Sequence, residues 1–249
     1  MAYFYDKDGN VISKVLSKKG TMRNVTIRDA RKHGYFPSVT QVIKEGLPTP
    51  TALIKYFKEQ VVWACLDNPK MENETRYEYA QRVIERSYLH SDTAKDFGNV
   101  MHNLIERYIN EQTIFISKYD KNIRDSMYKT SRWIEDNKLK GHTEKIIIDR
   151  IFGYGGKPDF HGKSTNGNVV VDFKTQNTKD GKFIFYDEWK YQISAYIGIL
   201  EFDYKGICLA ISSNEPGLIE EKIYTDEEIQ EGWKVFSNAL ENYKIIKKL

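Results

Sequence analysis

The chain has 249 residues, 40% hydrophobic and 29% charged, a balance that excludes a disordered chain and leaves room for one large domain or two small ones. Its net charge of +3 is only mildly basic, so nucleic acid is permitted as a partner and any basic surface has to be local. Two cysteines, Cys65 and Cys208, are too few for a disulfide scaffold or a four-cysteine zinc or iron–sulfur centre, and no apolar run approaches the ~18 residues of a membrane span.

The start, MAYFYDKDGN, has no basic segment followed by an apolar one, so no secretion signal is expected and a reducing cytoplasmic compartment is the default. Residues 2–16 predict a short hairpin turning at Asp8-Gly9-Asn10. After a loop, FPSVTQVIKEG places Ser38 or Thr40 where either can cap a short helix that ends before Gly46. The segments 51–67, 74–90, 94–112 and 121–138 each repeat apolar residues at i, i+3, i+4 and predict helices. Lys55, Lys58, Arg76, Arg82, Arg86 and Lys95 are interleaved there with Tyr56, Phe57, Trp63, Tyr77 and Tyr79. Such a mixture suits stacking of single-stranded nucleic acid, but for most of these residues a packed stripe beside a solvated face is the expected reading. Cys65 and Cys208 sit in VVWACL and GICLAI and read as small core residues.

From Thr143 the period changes from helical to alternating. TEKIIIDRIFGYGGKPDFHG and NVVVDFKT predict two or three strands, YDEWKYQISAYIGILEF a helix, KGICLAIS and LIEEKIYT two more strands, and the stretch from Asp226 a closing helix. That order is an α/β core of 141–249 preceded by a mostly helical part, 1–140, together expected as one domain.

The most informative stretch is GGKPDFHGKSTNGNVVVDFKT, which begins at Gly155. STNGN reads as a hairpin turn and NVVVDFKT as a strand, so Asp172 and Lys174, two apart, share one face. With YGGKPDF as the partner strand, Asp159 lies beside them. Two carboxylates and an ammonium on one small site suit a divalent cation and an activated water. On its own, an Asp and a Lys two apart also fit a surface ion pair worth about 0 to 1 kcal/mol. The surrounding apolar residues, Val169-Val170-Val171 and Phe173, favour the buried alternative.

Two further pairs share helix faces. His102 and Glu106 are four apart in FGNVMHNLIERYIN, where a neutral imidazole can complete a coordination shell or simply be a hydrogen-bonded core residue. Gln192 and Tyr196 are four apart in WKYQISAYIGIL, on a helix that packs against the sheet; both can hydrogen-bond a phosphate or orient a metal ligand. Ser38 and Thr40 can likewise donate to a phosphate at a helix N-terminus, or only cap it.

GNVMHNLIE, KPDF, VDFKT and QISAY, occurring in that order, resemble the RecB-type branch of the PD-(D/E)-x-K nuclease superfamily, which includes phage exonucleases and the mitochondrial genome maintenance exonuclease. FPSVTQVI is similar to the segment that opens many of its members, and the likeness spans roughly 36–200. The resemblance implies a restriction-endonuclease-like mixed central sheet flanked by helices, with a helical N-terminal region. It implies His102, Asp159 and Asp172 as metal ligands, with the main-chain carbonyl of Phe173 and, in some members, the position of Glu106. It also implies Lys174 as the catalytic lysine and Gln192 with Tyr196 as the motif on the following helix. Mg²⁺ or Mn²⁺ is the implied cofactor, and two cysteines exclude the iron–sulfur cluster of one branch.

The implied activity is metal-dependent hydrolysis of DNA phosphodiester bonds, foremost an exonuclease on single-stranded or duplex ends in replication, recombination or repair, with no membrane partner. The competing readings are a structure-specific endonuclease and a catalytically idle DNA-binding subunit of a recombination complex. A lysine with an ordinary pKa near ~10.4 is a poor base at neutral pH, so Lys174 is expected to orient water and offset charge.

Overall fold

The computed structural model describes residues 3–249, the side chains of 89–95 excepted. β1 (Phe4–Tyr5) and β2 (Val11–Ile12) form the expected hairpin, its turn held by Asp6, whose carboxylate accepts the N–H groups of Asp8 and Asn10 at 2.9 Å. Residue 2, where the hairpin was expected to begin, lies outside the described residues.

The second strand of the expected hairpin stops at Ile12, and Lys14–Leu16, expected to continue it, form β3, which pairs with β4 (Met22–Asn24); β4 and a helix, α1 (Ile27–His33), lie in the stretch expected to be a loop. Neither is long or apolar enough to show a period. They share a small apolar cluster of Phe4, Val25 and Ala30 with Val15 and Ile27 against it, and they are joined by charge: Arg23 grips Asp29 with two bonds of 2.7 Å, and Asp29 also accepts the N–H and hydroxyl of Thr26 at the helix start. The Arg23 bonds hold the Asp29 carboxyl far below the usual carboxylate range. Gly34, at a φ of 66°, ends the helix in the left-handed conformation glycine adopts freely. β5 (Phe36–Pro37) pairs with β1 and leads into α2 (Val39–Gly46), capped by Ser38, whose Oγ accepts the Gln41 N–H at 3.2 Å.

Four helices follow: α3 (Thr51–Asp67), α4 (Arg76–Ser87), α5 (Leu89–Ile109) and α6 (Lys121–Asp136). α4 starts later than expected, because Thr75 and Glu78 form a capping box there, and α5 starts earlier, directly after Tyr88. The aromatic residues of α3 are not a core stripe. Its buried residues are Gln60 and Ala64, while Phe57, Trp63 and Leu66 are exposed and Cys65 is only half-buried. Arg82 is held by Glu74 at 2.8 Å and lies over the Tyr79 ring, and the Lys95 side chain lies outside the described residues.

The α/β part contains β6 (Lys140–Thr143), β7 (Ile147–Asp149), β8 (Tyr154–Gly156), β9 (Phe160–Ser164), β10 (Gly167–Gln176), α7 (Asp187–Ile199), β11 (Lys205–Ser212), β12 (Ile219–Ile223) and α8 (Asp226–Lys247). The central sheet runs β12-β11-β10-β9-β6, with β10 and β11 parallel and the other pairs antiparallel. β6 was unexpected before Thr143: it is an exposed edge strand, and without a buried face it has no apolar alternation. YGGKPDF is not one strand either. It breaks at Lys157-Pro158, sending Tyr154–Gly156 to pair with β7 and Phe160 onward to pair with β10. Proline has no N–H to continue a ladder, so Asp159 falls at the break.

β10 is buried on both faces. Val169, Val171 and Phe173 pack with Met101, Leu104 and Ile105 of α5 and with Ile123 and Met127 of α6. Val170 points the other way, into a core with Val39 and Val42 of α2, Ile193 and Tyr196 of α7, and Phe236 and Leu240 of α8. Side chains alternate along a strand, so Asp172 and Lys174 share the face of Val170 and look toward α7.

α8 closes that second layer, and Thr225 caps it reciprocally with Glu228. Thr225→Ala is expected to cost about 1 kcal/mol, seen as a lower urea midpoint at unchanged m-value.

Candidate active site

β10 presents Asp172, 1% exposed, and Lys174 at the carboxyl end of the strand. Lys174 Nζ stands 2.6 Å from Asp172 Oδ2, close enough for an ion pair but off the hydrogen-bond direction, so this buried oxygen has no directed donor. Gln192, on the facing side of α7, takes the Lys174 ammonium on Oε1 at 3.0 Å and gives its Nε2 to Asp172 Oδ1 at 3.3 Å and to the Tyr196 hydroxyl at 3.0 Å. One amide thus holds the carboxylate, the ammonium and the phenol in fixed relation. The Tyr196 ring needs Gly156 behind it, where a Cβ would lie 2.3 Å from Cε1.

Asp159 meets them from the break before β9. Its Oδ2 accepts the Phe173 N–H at 2.7 Å, and its Oδ1 lies 3.3 Å from His102 Nδ1. His102 comes from α5, on the opposite side of the sheet. A Cβ on Gly98, one turn earlier, would lie 2.8 Å from Thr175 Oγ1, so this glycine is what lets α5 approach β10 closely enough for the histidine to reach.

The structure adds a carboxylate not singled out from the sequence. Glu144 donates its main-chain N–H to the Asp159 carbonyl at 3.2 Å, pairs through its side chain with Lys157, and contributes one ligand atom to a group with His102 and Asp159 lying within 4.8 Å of one another. That group takes Glu144 rather than Asp172 or Glu106. Glu106, one turn beyond His102, adds its negative charge to the surroundings of both Glu144 and Lys157. The available signal for Glu144 was its place just before the Ile146-Ile147-Ile148 run, the same acid-beside-apolar pattern that marks Asp172.

Titration directions follow from burial and crowding. Burial, joined by the charge of Asp159, pushes Asp172 up to about 6 despite the opposing Lys174 ammonium. Burial would also raise Asp159, but His102, Lys174 and the Phe173 N–H together hold it below the usual carboxylate range. Burial works against the charged forms of Lys174 and His102 too, and is outweighed in both by the neighbouring carboxylates, so both are raised. Burial and the Asp172 charge keep Tyr196 a neutral phenol.

The donor set fits a divalent cation. His102, Glu144 and Asp159 each offer a ligand atom within reach of the others, one Asp172 oxygen lacks a directed donor, and carboxylate oxygens with one ring nitrogen suit a hard ion. Ser38 is buried as the α2 cap, with a backbone bridge to Gly155 on the chain leading to Asp159, and Thr40 is exposed, its hydroxyl 3.3 Å from that of Ser38. Val39, between them, packs in the same core as Tyr196 and would lie 3.1 Å from a Cβ on Gly156, so this turn adjoins the site through Gly155 and Gly156.

Mn²⁺ at about 100 times its Kd is expected to stabilise the fold by about 2.7 kcal/mol, read as a raised thermal midpoint. Asp159→Asn should abolish that increment; a variant that kept it would remove Asp159 from the ligand set. Glu144→Gln should shrink it and shift the Mn²⁺ titration to higher concentration.

No protein-family model and no curated protein sequence matches the chain. Among solved structures, a "Putative exonuclease" from Eubacterium rectale is similar at a TM-score of 0.41 and 13% identity, covering 80% of this chain and 86% of that one, a likeness too low to bear on the chemistry.

Proposed function

We propose that this chain is a metal-dependent deoxyribonuclease of the PD-(D/E)-x-K type that acts on DNA ends. The observation that carries this reading is the meeting of Asp172, Lys174 and Gln192 on one face of β10, with Asp159 bonded to the main chain of Phe173 between them.

His102, Asp159 and Asp172 would hold Mg²⁺ or Mn²⁺, with Glu144 or Glu106 and the Phe173 carbonyl as further oxygen donors. When bound, the ion supplies Lewis-acid polarisation of the phosphate and a more acidic water. Lys174 keeps its proton beside two carboxylates, so it orients the attacking water and offsets charge growing on the phosphate rather than removing a proton. Gln192 sets the distance between Lys174 and Asp172, and Tyr196 fixes the amide by taking its second N–H. Ser38 and Thr40 lie near the strand that carries Gly155 and are candidates for hydroxyl donors to the DNA backbone.

Lys174→Ala is expected to lower cleavage by about 10²- to 10³-fold while leaving DNA affinity in EDTA nearly unchanged. The assay uses 5′- and 3′-labelled linear DNA and circular single strands with Mg²⁺, Mn²⁺ or EDTA. End-dependent, EDTA-sensitive degradation with the circles intact is the expected result. Cutting of circles would make the enzyme an endonuclease, and binding without cleavage under every metal would leave a DNA-binding subunit. A Lys174→Ala variant cleaving at the normal rate would end the role given to the lysine.

A further inference from the structure

The candidate active site uses nothing from residues 14–33, yet this stretch is the most unbalanced in the chain. It holds seven lysines and arginines against Asp29 alone, +6 formally, while the whole chain is +3, so all other residues together come to −3. The one aspartate is consumed by Arg23 in the bidentate pair that pins β4 to α1. Lys14, Lys18, Lys19, Arg28 and Lys32 are exposed and form no ion pair among the described residues. Arg28 and Lys32 stand four apart on α1, where like charges repel and cost an isolated helix stability. Lys32 also lies with Arg31 in the last turn, where cations suit the helix dipole, so the observation that points outward is the excess itself: exposed cations clustered in one short stretch are available to a polyanion.

The position supports the same conclusion. The β3–β4 hairpin continues directly from β2 of the small sheet β2-β1-β5. That sheet rests on the chain leading to Asp159: a Cβ on Gly155 would lie 2.8 Å from the Tyr5 ring, and Ser38, next after β5, bridges to Gly155. The other end of α1 is tied by Arg31 Nε to the Lys247 carbonyl at 2.5 Å, at the end of α8. The basic hairpin and helix are therefore anchored at both ends, and the cations are carried on a fixed frame.

We propose that the β3–β4 hairpin and α1 form an arm that binds the phosphate backbone of nucleic acid, separate from the metal-ligating residues and independent of base sequence. The proposal rests on the DNA reading above only for the identity of the polyanion. An anionic membrane would also attract these cations, but the exposed apolar residues at the hairpin end are one cross-strand pair, Leu16 and Met22, too little for stable insertion.

The test is fluorescence anisotropy of an oligothymidylate of about 30 nucleotides and a duplex of similar length, in EDTA, between about 50 and about 200 mM NaCl. Neutralising Lys18, Lys19, Arg28 and Lys32 together to Ala should reduce the slope of log K against log[salt] by roughly 3 to 4 for the duplex and by about 3 for the single strand. Affinity should fall at least about tenfold. Lys18→Ala with Lys19→Ala, confined to the hairpin turn, should remove about half of the slope change, and Lys129→Ala with Lys234→Ala should change neither quantity. An unchanged slope in the fourfold variant would overturn the proposal, as would a wild-type protein that ignores both nucleic acids and is captured by phosphatidylserine vesicles through the same four cations. Because cleavage is silent in EDTA, slope loss in a protein that never cuts DNA would uphold the arm and defeat only the nuclease reading.

Discussion

The bond from the Phe173 N–H to Asp159 Oδ2 is the constraint on which the site depends. Pairing of β9 with β10 stops at Phe160 and Val171, so two residues later the buried N–H of Phe173 has lost its strand partner. A buried main-chain donor without an acceptor is costly, and the carboxylate of Asp159 replaces the missing carbonyl. That substitution places an acid at the end of the sheet, within reach of an imidazole from α5, and brings the two faces of β10 to a common edge. Pro158 makes the same outcome necessary from the other side, because it cannot extend the ladder.

The rest is an economy of charge under burial. A carboxylate on a doubly covered strand raises its own pKa unless compensated, and Asp172 is compensated by an ion pair that is poorly directed and an amide that is shared. The protein tolerates this because Gln192 is anchored by Tyr196 and Tyr196 by the absence of a side chain at Gly156. Such rigidity suits a site whose groups must keep fixed distances when a phosphate arrives.

Much of this was legible in the residues. The parity of β10 could be read from Val169 to Lys174, and the helix pairs His102/Glu106 and Gln192/Tyr196 from their spacing, because period and face are local properties. What escaped were relations between distant segments. Glu144 lies fifteen positions before Asp159, and only the antiparallel return of β6 and β9 brings them together. α1 escaped for another reason: at seven residues it is too short to show a period, burying little beyond Ala30 and Ile27 in a small cluster and being joined to β4 by the Arg23–Asp29 bridge. The aromatic residues of α3 were ambiguous between stacking surface and core, and the structure leaves Phe57, Trp63 and Leu66 exposed.

The alternation of β10 has one more consequence. Odd positions Val169, Val171 and Phe173 furnish the apolar contacts to α5 and α6, and the even positions pass from apolar Val170 to the charged Asp172 and Lys174 facing α7. Sliding this strand by one residue would drive Asp172 and Lys174 into the apolar layer under α5 and α6 and turn Phe173 toward Gln192, so the error would be rejected as a folding failure. The placing of the acid and the lysine is therefore a by-product of correct pairing, and the residues beside them can change only as far as the odd positions still hold the strand in place.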